Sequence, residues 1–251
     1  MMQPDLYEMI FKRKSIRKYD ETPLDDATIS GIEDFIKKAE PLNKDIKTEI
    51  SIVPNEAVTV FLPVNSPQYL VMTSEKKEGY LTNAGYILEQ VDLFLSSKGI
   101  GSCYVGMAQP TKETRKNLNL EFVIIVAFGK PGENLHRTEI SEFKRKSLSE
   151  ITNIAGSQEF LEPVRIAPSA TNSQPWFFTG GNGVINLYCV KSGFLKSMVY
   201  DKMNKIDMGI ALCHLALSVG HSGKNMEIVF DKAAQEEGPK GYYYINTAIL
   251  K

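Results

Sequence analysis

A continuous apolar run over residues 122–128, ended by Gly129 and Pro131, predicts a strand that is buried on both faces. Before it lies the clearest helical pattern of the chain, residues 81–97, in which apolar side chains recur at spacings of three and four. A long amphipathic helix beside a fully buried strand needs a core built from both element types. The sequence therefore predicts an α+β fold.

Shorter patterns predict the remaining elements. Amphipathic helices are expected over residues 5–14, 25–39 and 206–219. Short β-branched or aromatic runs predict strands near residues 49–53, 58–62, 69–73, 184–190, 226–230 and 242–250. The single tryptophan, Trp176, is expected in the core rather than against a ligand.

Two helical segments, residues 83–88 and 207–212, can be laid over each other. Each is followed by a strand after roughly thirty residues. This similarity is much less regular than the repeats of repeat proteins. On periodicity alone, one α+β domain with two ordinary helix–strand units is favoured over an internal duplication.

Composition excludes several classes of protein. Among 251 residues, 29 Lys and Arg balance 30 Asp and Glu, for a formal net charge of -1. A general nucleic-acid or anionic-membrane binder would be far more basic, so any anion site must be local. The apolar runs are too short to span a bilayer, and the first residues contain no apolar signal core. A cytoplasmic protein is expected.

The few cysteines and histidines offer little chemistry of their own. Three scattered cysteines argue against a disulfide framework, and three scattered histidines have no metal-ligand spacing, so no metal site is predicted. Cys213 precedes His214, but neighbouring helical residues point about 100° apart. Burial in a helix is therefore favoured over a catalytic Cys/His pair.

Near the N-terminus, Arg13, Ser15 and Arg17 are spaced two residues apart. In an extended segment all three side chains project to one side. Two guanidinium groups and a hydroxyl suit a phosphate or an electron-rich ring edge. Taken alone, the motif is more readily explained as a solvated basic run after a helix, where cations are favourable.

Residues 166–178 form the most unusual segment, with small polar side chains between Pro168 and Pro175. The prolines stiffen the loop, and its hydroxyl and amide groups could recognise a flat polar heterocycle. The alternative is a loop whose polar side chains cap its own backbone.

A third segment, residues 99–107, is glycine-rich but follows a helix and lacks the dinucleotide-binding GxGxxG pattern. Its glycines allow backbone N–H groups to approach a planar ligand.

Together, residues 13–19, 99–106 and 167–176 resemble the nitroreductase family of FMN-dependent flavoproteins. Members of that family bind FMN at a homodimer interface, with the basic motif and the Pro-Ser loop supplied by opposite subunits. They normally carry both motifs a few dozen residues apart, whereas here the motifs lie near residues 15 and 170. This spacing resembles a subgroup in which two diverged halves are fused.

The resemblance thus implies a nitroreductase-like α+β fold with mostly antiparallel sheets. Its two related halves, residues 1–146 and 147–251, would form an intramolecular pseudo-dimer. One FMN site would keep both motifs and the other would have decayed. Homodimerisation would then be unnecessary for cofactor binding.

The same resemblance implies a set of FMN-binding residues. The phosphate, ribityl chain and pyrimidine edge would be held by Arg13, Lys14, Ser15 and Arg17. Ring contacts would come from Pro168, Ser169, Ala170, Asn172 and, with less support, Gln174. Tyr104, Val105 and Gly106 would lie along the flavin, with a backbone N–H near N5. A second phosphate-binding cation would be Arg145 or Lys146.

The implied activity is that of an FMN-dependent NAD(P)H oxidoreductase. Hydride from NADH or NADPH would reach flavin N5, and a nitro, quinone or similar acceptor would then be reduced by ping-pong kinetics. A cation, Arg17 or Lys14, would stabilise the reduced flavin, and no side-chain acid or base is required. Three alternatives remain: another flavin chemistry such as reductive dehalogenation or flavin fragmentation, a non-catalytic flavin or nucleotide sensor, and a structural protein without ligand.

Overall fold

The computed structural model describes residues 5–61, 64–191 and 197–251. The chain divides into two compact units, Met1–Glu142 and Phe143–Lys251. Among the described residues, no helix has both the length and the apolar character that crossing a bilayer requires. A common origin of the two halves stays a prediction.

The first unit contains a four-stranded antiparallel sheet and one long central helix. Its helices are α1 (Leu6–Ile10), α2 (Asp26–Ile36), α3 (Tyr80–Ser97) and α4 (Lys112–Lys116). Its strands are β1 (Thr48–Pro54), β2 (Val58–Thr59), β3 (Gln68–Ser74), β4 (Gly101–Val105), β5 (Gln109–Pro110) and β6 (Glu121–Gly129). The main sheet has the order β1-β3-β6-β4, and β2 and β5 form a separate two-stranded ladder.

The second unit has a sheet of the same size. Its helices are α5 (Leu148–Ile151), α6 (Gln158–Arg165), α7 (Ser197–His221) and α8 (Lys232–Glu236). Its strands are β7 (Trp176–Gly181), β8 (Val184–Val190), β9 (Met226–Val229) and β10 (Tyr242–Leu250), in the order β7-β8-β10-β9 with every neighbouring pair antiparallel. Short 3-10 turns cover Asn55–Ala57, Ile140–Phe143 and Ala170–Asn172 of the described chain.

Both sheets follow one topological plan. In each unit two antiparallel strands precede the long helix, a third strand follows it at the sheet edge, and the last strand inserts between the second and third. A short helix, α4 or α8, precedes that last strand. The strand orders β1-β3-β6-β4 and β7-β8-β10-β9 are therefore equivalent.

The strongest sequence patterns correspond to the centre of the first unit. Helix α3 and strand β6 confirm the predicted helix and buried strand, and every residue of β6 after Glu121 is buried. Trp176 is 1% exposed, as a core residue should be. These elements form as predicted because their apolar residues match the period of the structure they adopt.

Several boundaries differ from the prediction. Helix α1 ends at Ile10 rather than continuing to residue 14, and α2 ends at Ile36 rather than at residue 39. Helix α7 is longer than predicted. The strand predicted over residues 58–62 is limited to Val58–Thr59, and residue 62 lies outside the described residues.

The glycine-rich segment, residues 99–107, contains strand β4, although no strand was expected there. The first residue of β4, Gly101, lies against Ile16. A Cβ at this glycine would come within 2.9 Å of the Ile16 side chain. Glycine is therefore needed for close packing of the N-terminal segment rather than for a flexible loop.

The β7–β8 hairpin gives a direct test of backbone packing. Gly180 and Gly181 have φ angles of +126° and +145°, which disfavour any side chain. A Cβ at Gly180 would also overlap the carbonyl oxygen of Val184, whereas Gly181 has open space. We expect Gly180→Ala to lower the melting temperature well below that of Gly181→Ala, measured by circular dichroism. Equal melting temperatures would contradict this packing.

Candidate functional site

The basic motif continues from α1 along the edge of the first sheet. Ser15 forms a parallel bridge to Ser102 of β4, and the Ile16 N–H donates to the Ser102 carbonyl at 2.9 Å. Ile16 is fully buried, while Arg17 and Lys18 are exposed. The motif is thus fixed in an extended conformation by β4. Arg13 and Arg17 nevertheless have different surroundings, since Arg13 is buried and Arg17 is exposed, so the solvated basic run that was favoured for the motif alone is wrong for Arg13.

Arg13 points into the core of the first unit. Its side chain is 2% exposed, and its Nε lies 2.8 Å from Oδ2 of Asp92 on α3. Its Nη2 donates to Ser15 Oγ at 3.2 Å, and Ser102 Oγ donates to Asp92. Burial alone would lower the pKa of Arg13, but the carboxylates of Asp92 and Glu89 outweigh it and raise that pKa. Arg13 is therefore held as a cation within a buried ion pair.

A second buried carboxylate holds Tyr104. The Tyr104 hydroxyl donates to Glu89 Oε2 at 3.0 Å, and Glu89 is fully buried. Burial, with the negative charge of Glu89 next, raises the pKa of Tyr104 well above its usual value. The Tyr104 side chain is thus directed towards α3. Of the neighbouring predicted residues, Val105 is buried and Gly106 is exposed, so Gly106 has the accessible backbone.

Glu133 fixes the exposed part of the basic motif. Its Oε2 lies 2.9 Å from Lys14 Nζ, and its Oε1 accepts the Arg17 N–H at 2.9 Å and the Lys18 N–H at 3.3 Å. These bonds, led by that from the Arg17 N–H, lower the pKa of Glu133. The carboxylate therefore anchors the Arg17 backbone while the Arg17 side chain is exposed.

Arg137 is a cation of this cluster that the sequence reasoning missed. Its backbone N–H donates to the Lys12 carbonyl at 2.8 Å, and its Nη1 donates to the Arg13 carbonyl. Burial and the positive charges of Arg13 and Arg17 lower the pKa of Arg137 to about 10. Like charges gathered at a partly exposed surface create a local positive potential that favours an anion.

The Pro-Ser loop lies between α6 and β7 in the second unit. Pro168 is buried, and the Gln174 N–H donates to Ser169 Oγ at 2.9 Å. Thr171, Asn172 and Gln174 have φ angles of +53°, +58° and +47°. A positive φ angle at a non-glycine residue costs free energy. Three such residues in one loop persist only where surrounding contacts fix the backbone.

Arg145 and Lys146, predicted as alternative phosphate ligands, contact this loop. Arg145 Nε donates to the Ala167 carbonyl at 3.0 Å, and its Nη1 donates to Asn172 Oδ1 at 2.6 Å. Lys146 Nζ donates to the Gln174 carbonyl at 2.9 Å, and its backbone N–H donates to Gln174 Oε1 at 2.7 Å. The capping alternative is met within the loop itself, where Ser169 Oγ accepts the Gln174 N–H and Gln174 Nε2 donates to the Asn172 carbonyl, whereas Arg145 and Lys146 hold the loop from outside.

The Cys213–His214 pair lies inside α7. Cys213 is buried and forms no disulfide, and His214 is fully buried with Nδ1 2.8 Å from the Pro163 carbonyl. This confirms burial in a helix. Within the described ranges, no group of three or more His, Cys, Asp or Glu side chains could hold a metal ion.

Comparison with known proteins gives the family. A family model described as "Putative TM nitroreductase" matches residues 5–219. A solved structure from Thermotoga maritima, titled a "putative nitroreductase", is 21% identical, with a TM-score of 0.67 over 100% of this chain and 94% of that chain.

A second solved structure, named an FMN-dependent nitroreductase from Clostridium difficile R20291, is 19% identical. It has a TM-score of 0.45 over 53% of this chain and 92% of that chain. A search of curated proteins finds no match. The family model covers most of the sequence, so the resemblance is confirmed, and the chain belongs to this nitroreductase family.

Proposed function

We propose that this protein is an FMN-dependent oxidoreductase that oxidises NADH or NADPH and reduces a nitro, quinone or similar small acceptor. Family membership supports the reaction class, and the name of the Clostridium difficile neighbour agrees with the cofactor. The single observation that carries the proposal is that Arg137 donates to the Arg13 carbonyl, which places a second guanidinium group beside the extended segment that contains Ser15 and the exposed Arg17. This donor set fits a phosphate.

Each side chain of the basic motif has a distinct role in this proposal. Arg17 and Arg137 bind the phosphate, because guanidinium groups form strong charge-assisted bonds to phosphate oxygens. Lys14 adds positive charge while paired with Glu133. Arg13 neutralises Asp92 and orients the Ser15 hydroxyl instead of contacting the phosphate itself.

The ring of FMN is assigned to backbone and small side chains. In the second unit the contacts to the ring come from Pro168, Ser169, Ala170, Asn172 and Gln174. Arg145 and Lys146 orient the last two by hydrogen bonds. In the first unit they come from the backbone at Val105 and Gly106, with Tyr104 fixing that strand through Glu89. When bound, FMN supplies hydride-accepting and electron-donating chemistry.

We further propose that the chain arose by internal duplication and works as a monomer. The equivalent strand orders of the two sheets support this origin. The Arg-x-Ser-x-Arg motif stands near the start of the first unit, whereas α5 of the second unit is followed by Thr152, Asn153 and Ile154. One complete set of motifs is therefore expected to bind one FMN.

The absorption spectrum of the purified protein after addition of FMN and gel filtration tests this proposal. We expect a flavin band that corresponds to one FMN for each chain and bleaches when NADH or NADPH is added without oxygen. Absence of the band would reject the proposal. A band that no nicotinamide bleaches would instead favour the sensor alternative. Turnover with nitroaromatics or quinones would distinguish the proposed reaction from another flavin chemistry.

A further inference from the structure

A buried carboxylate of α7 holds the Pro-Ser loop. Asp207 is 3% exposed, and the Ala170 N–H lies 3.1 Å from each of its two carboxylate oxygens. Ala170 begins the 3-10 turn of the loop and directly follows Ser169. The middle of the second unit's long helix is therefore bonded to the part of the loop that the proposed function places on FMN.

The first unit has the same bond at the equivalent position. Asn83 of α3 accepts the Asn43 N–H through Oδ1 at 2.9 Å. Asn43 lies two residues after Pro41, just as Ala170 lies two residues after Pro168. The long helices α3 and α7 also occupy equivalent places between the second and third strands of their units. Each unit therefore ties the segment before its first strand to its long helix by one buried side chain.

The two bonds differ in chemistry. Asn83 offers a neutral carbonyl oxygen, whereas Asp207 offers a carboxylate, and hydrogen bonds to a charged acceptor are roughly twice as strong. The stronger anchor lies in the unit whose loop contains three non-glycine residues with positive φ. Such a backbone needs surrounding contacts to fix it. Arg145 and Lys146 hold the loop through its carbonyl and amide oxygens, and Asp207 holds it through an N–H group.

We propose that Asp207 is a positioning residue that keeps the Pro168–Gln174 loop in the conformation that binds FMN. This inference rests on the proposed function. Asp207 acts through Ala170, because a free Ala170 amide would let the loop relax towards more favourable φ values. Removal of the carboxylate is therefore expected to affect both the motion of the loop and the affinity for FMN.

Hydrogen exchange of the FMN-free protein gives a readout independent of the cofactor. In Asp207→Ala, we expect faster exchange in peptides spanning residues 168–175 and unchanged exchange in peptides from strand β8. Asp207→Asn keeps one carbonyl acceptor, as the natural Asn83 does in the other unit, and should give a smaller increase. Unchanged exchange at residues 168–175 in both variants would overturn the anchoring role.

FMN titration by fluorescence quenching tests the functional part. Loss of one charge-assisted bond should weaken FMN binding by roughly ten- to hundredfold in Asp207→Ala, and less in Asp207→Asn. The matched control is Asn83→Ala, which removes the equivalent bond in the first unit and should leave the FMN dissociation constant unchanged. If the unaltered protein bound no FMN, the proposed function would fail. If it bound FMN and Asp207→Ala bound equally well, only the positioning role would fail.

Discussion

Replacing Asp92 by asparagine should lower the free energy of unfolding of the first unit by about 3–5 kcal/mol. Arg13 and Asp92 are 2% and 1% exposed, and their pairing distance is 2.8 Å. The variant leaves the Arg13 guanidinium buried beside a neutral amide, and it weakens the bond from Ser102. An uncompensated buried charge is far more harmful than the loss of a surface ion pair.

Urea titration followed by circular dichroism measures this effect, and the single tryptophan helps to assign it. Trp176 lies in the second unit, so its fluorescence follows the unfolding of that unit. The surface variant Asp34→Asn, which removes an exposed ion pair with Lys37, is the matched control and should change stability little. An Asp92→Asn variant as stable as the control would contradict the buried pair.

Substitution of Arg17 by alanine should weaken FMN binding by roughly ten- to hundredfold without destabilising the FMN-free protein. The side chain is exposed, and its charge lowers the pKa of Arg137. Without the ligand, its removal therefore relieves repulsion between guanidinium groups. With the ligand, its removal takes away a cation from the phosphate.

Dissociation constants at low and moderate salt, together with melting temperatures of the FMN-free forms, check this expectation. Added salt should weaken FMN binding to the unaltered protein more than to Arg17→Ala, because screening acts on the missing charge. The adjacent exposed residue supplies the control, since Lys18→Ala should alter neither quantity appreciably. A loss of FMN affinity that is equal in the two variants would argue against a specific role for Arg17.

The sequence predicted the elements whose apolar periodicity is strong and local. Helix α3 and strand β6 follow from the spacing of apolar residues alone. The helix needs one buried stripe, and the strand needs both faces buried. The ends of α1 and α2 were less predictable, since the residues beyond them still have helical character. Strand β4 was not predicted, because its leading glycine is needed for packing against Ile16, a contact distant in sequence.

The motifs of the candidate site were found from sequence, but the partners of their side chains were not. The Arg13-x-Ser15-x-Arg17 spacing marked a candidate anion site, whereas Asp92 on a mostly apolar helix gave no sign that it neutralises the first arginine. Arg137 was missed because its place in the cluster depends on the fold of residues 130–137 beside the motif. The role expected of Arg145 and Lys146 was implied by the family resemblance, and their bonds to the Pro-Ser loop depend on the tertiary fold.

The equivalent topologies of the two units have an evolutionary consequence. In a symmetric assembly of identical subunits, every substitution is present in both copies, and each must tolerate it. A single polypeptide that contains the plan twice is free of that constraint, so one copy can acquire an acidic anchor while the other keeps an amide. If the proposed duplication holds, Asp207 and Asn83 are such a pair. Exchange of the two residues between the copies would show how far each has specialised.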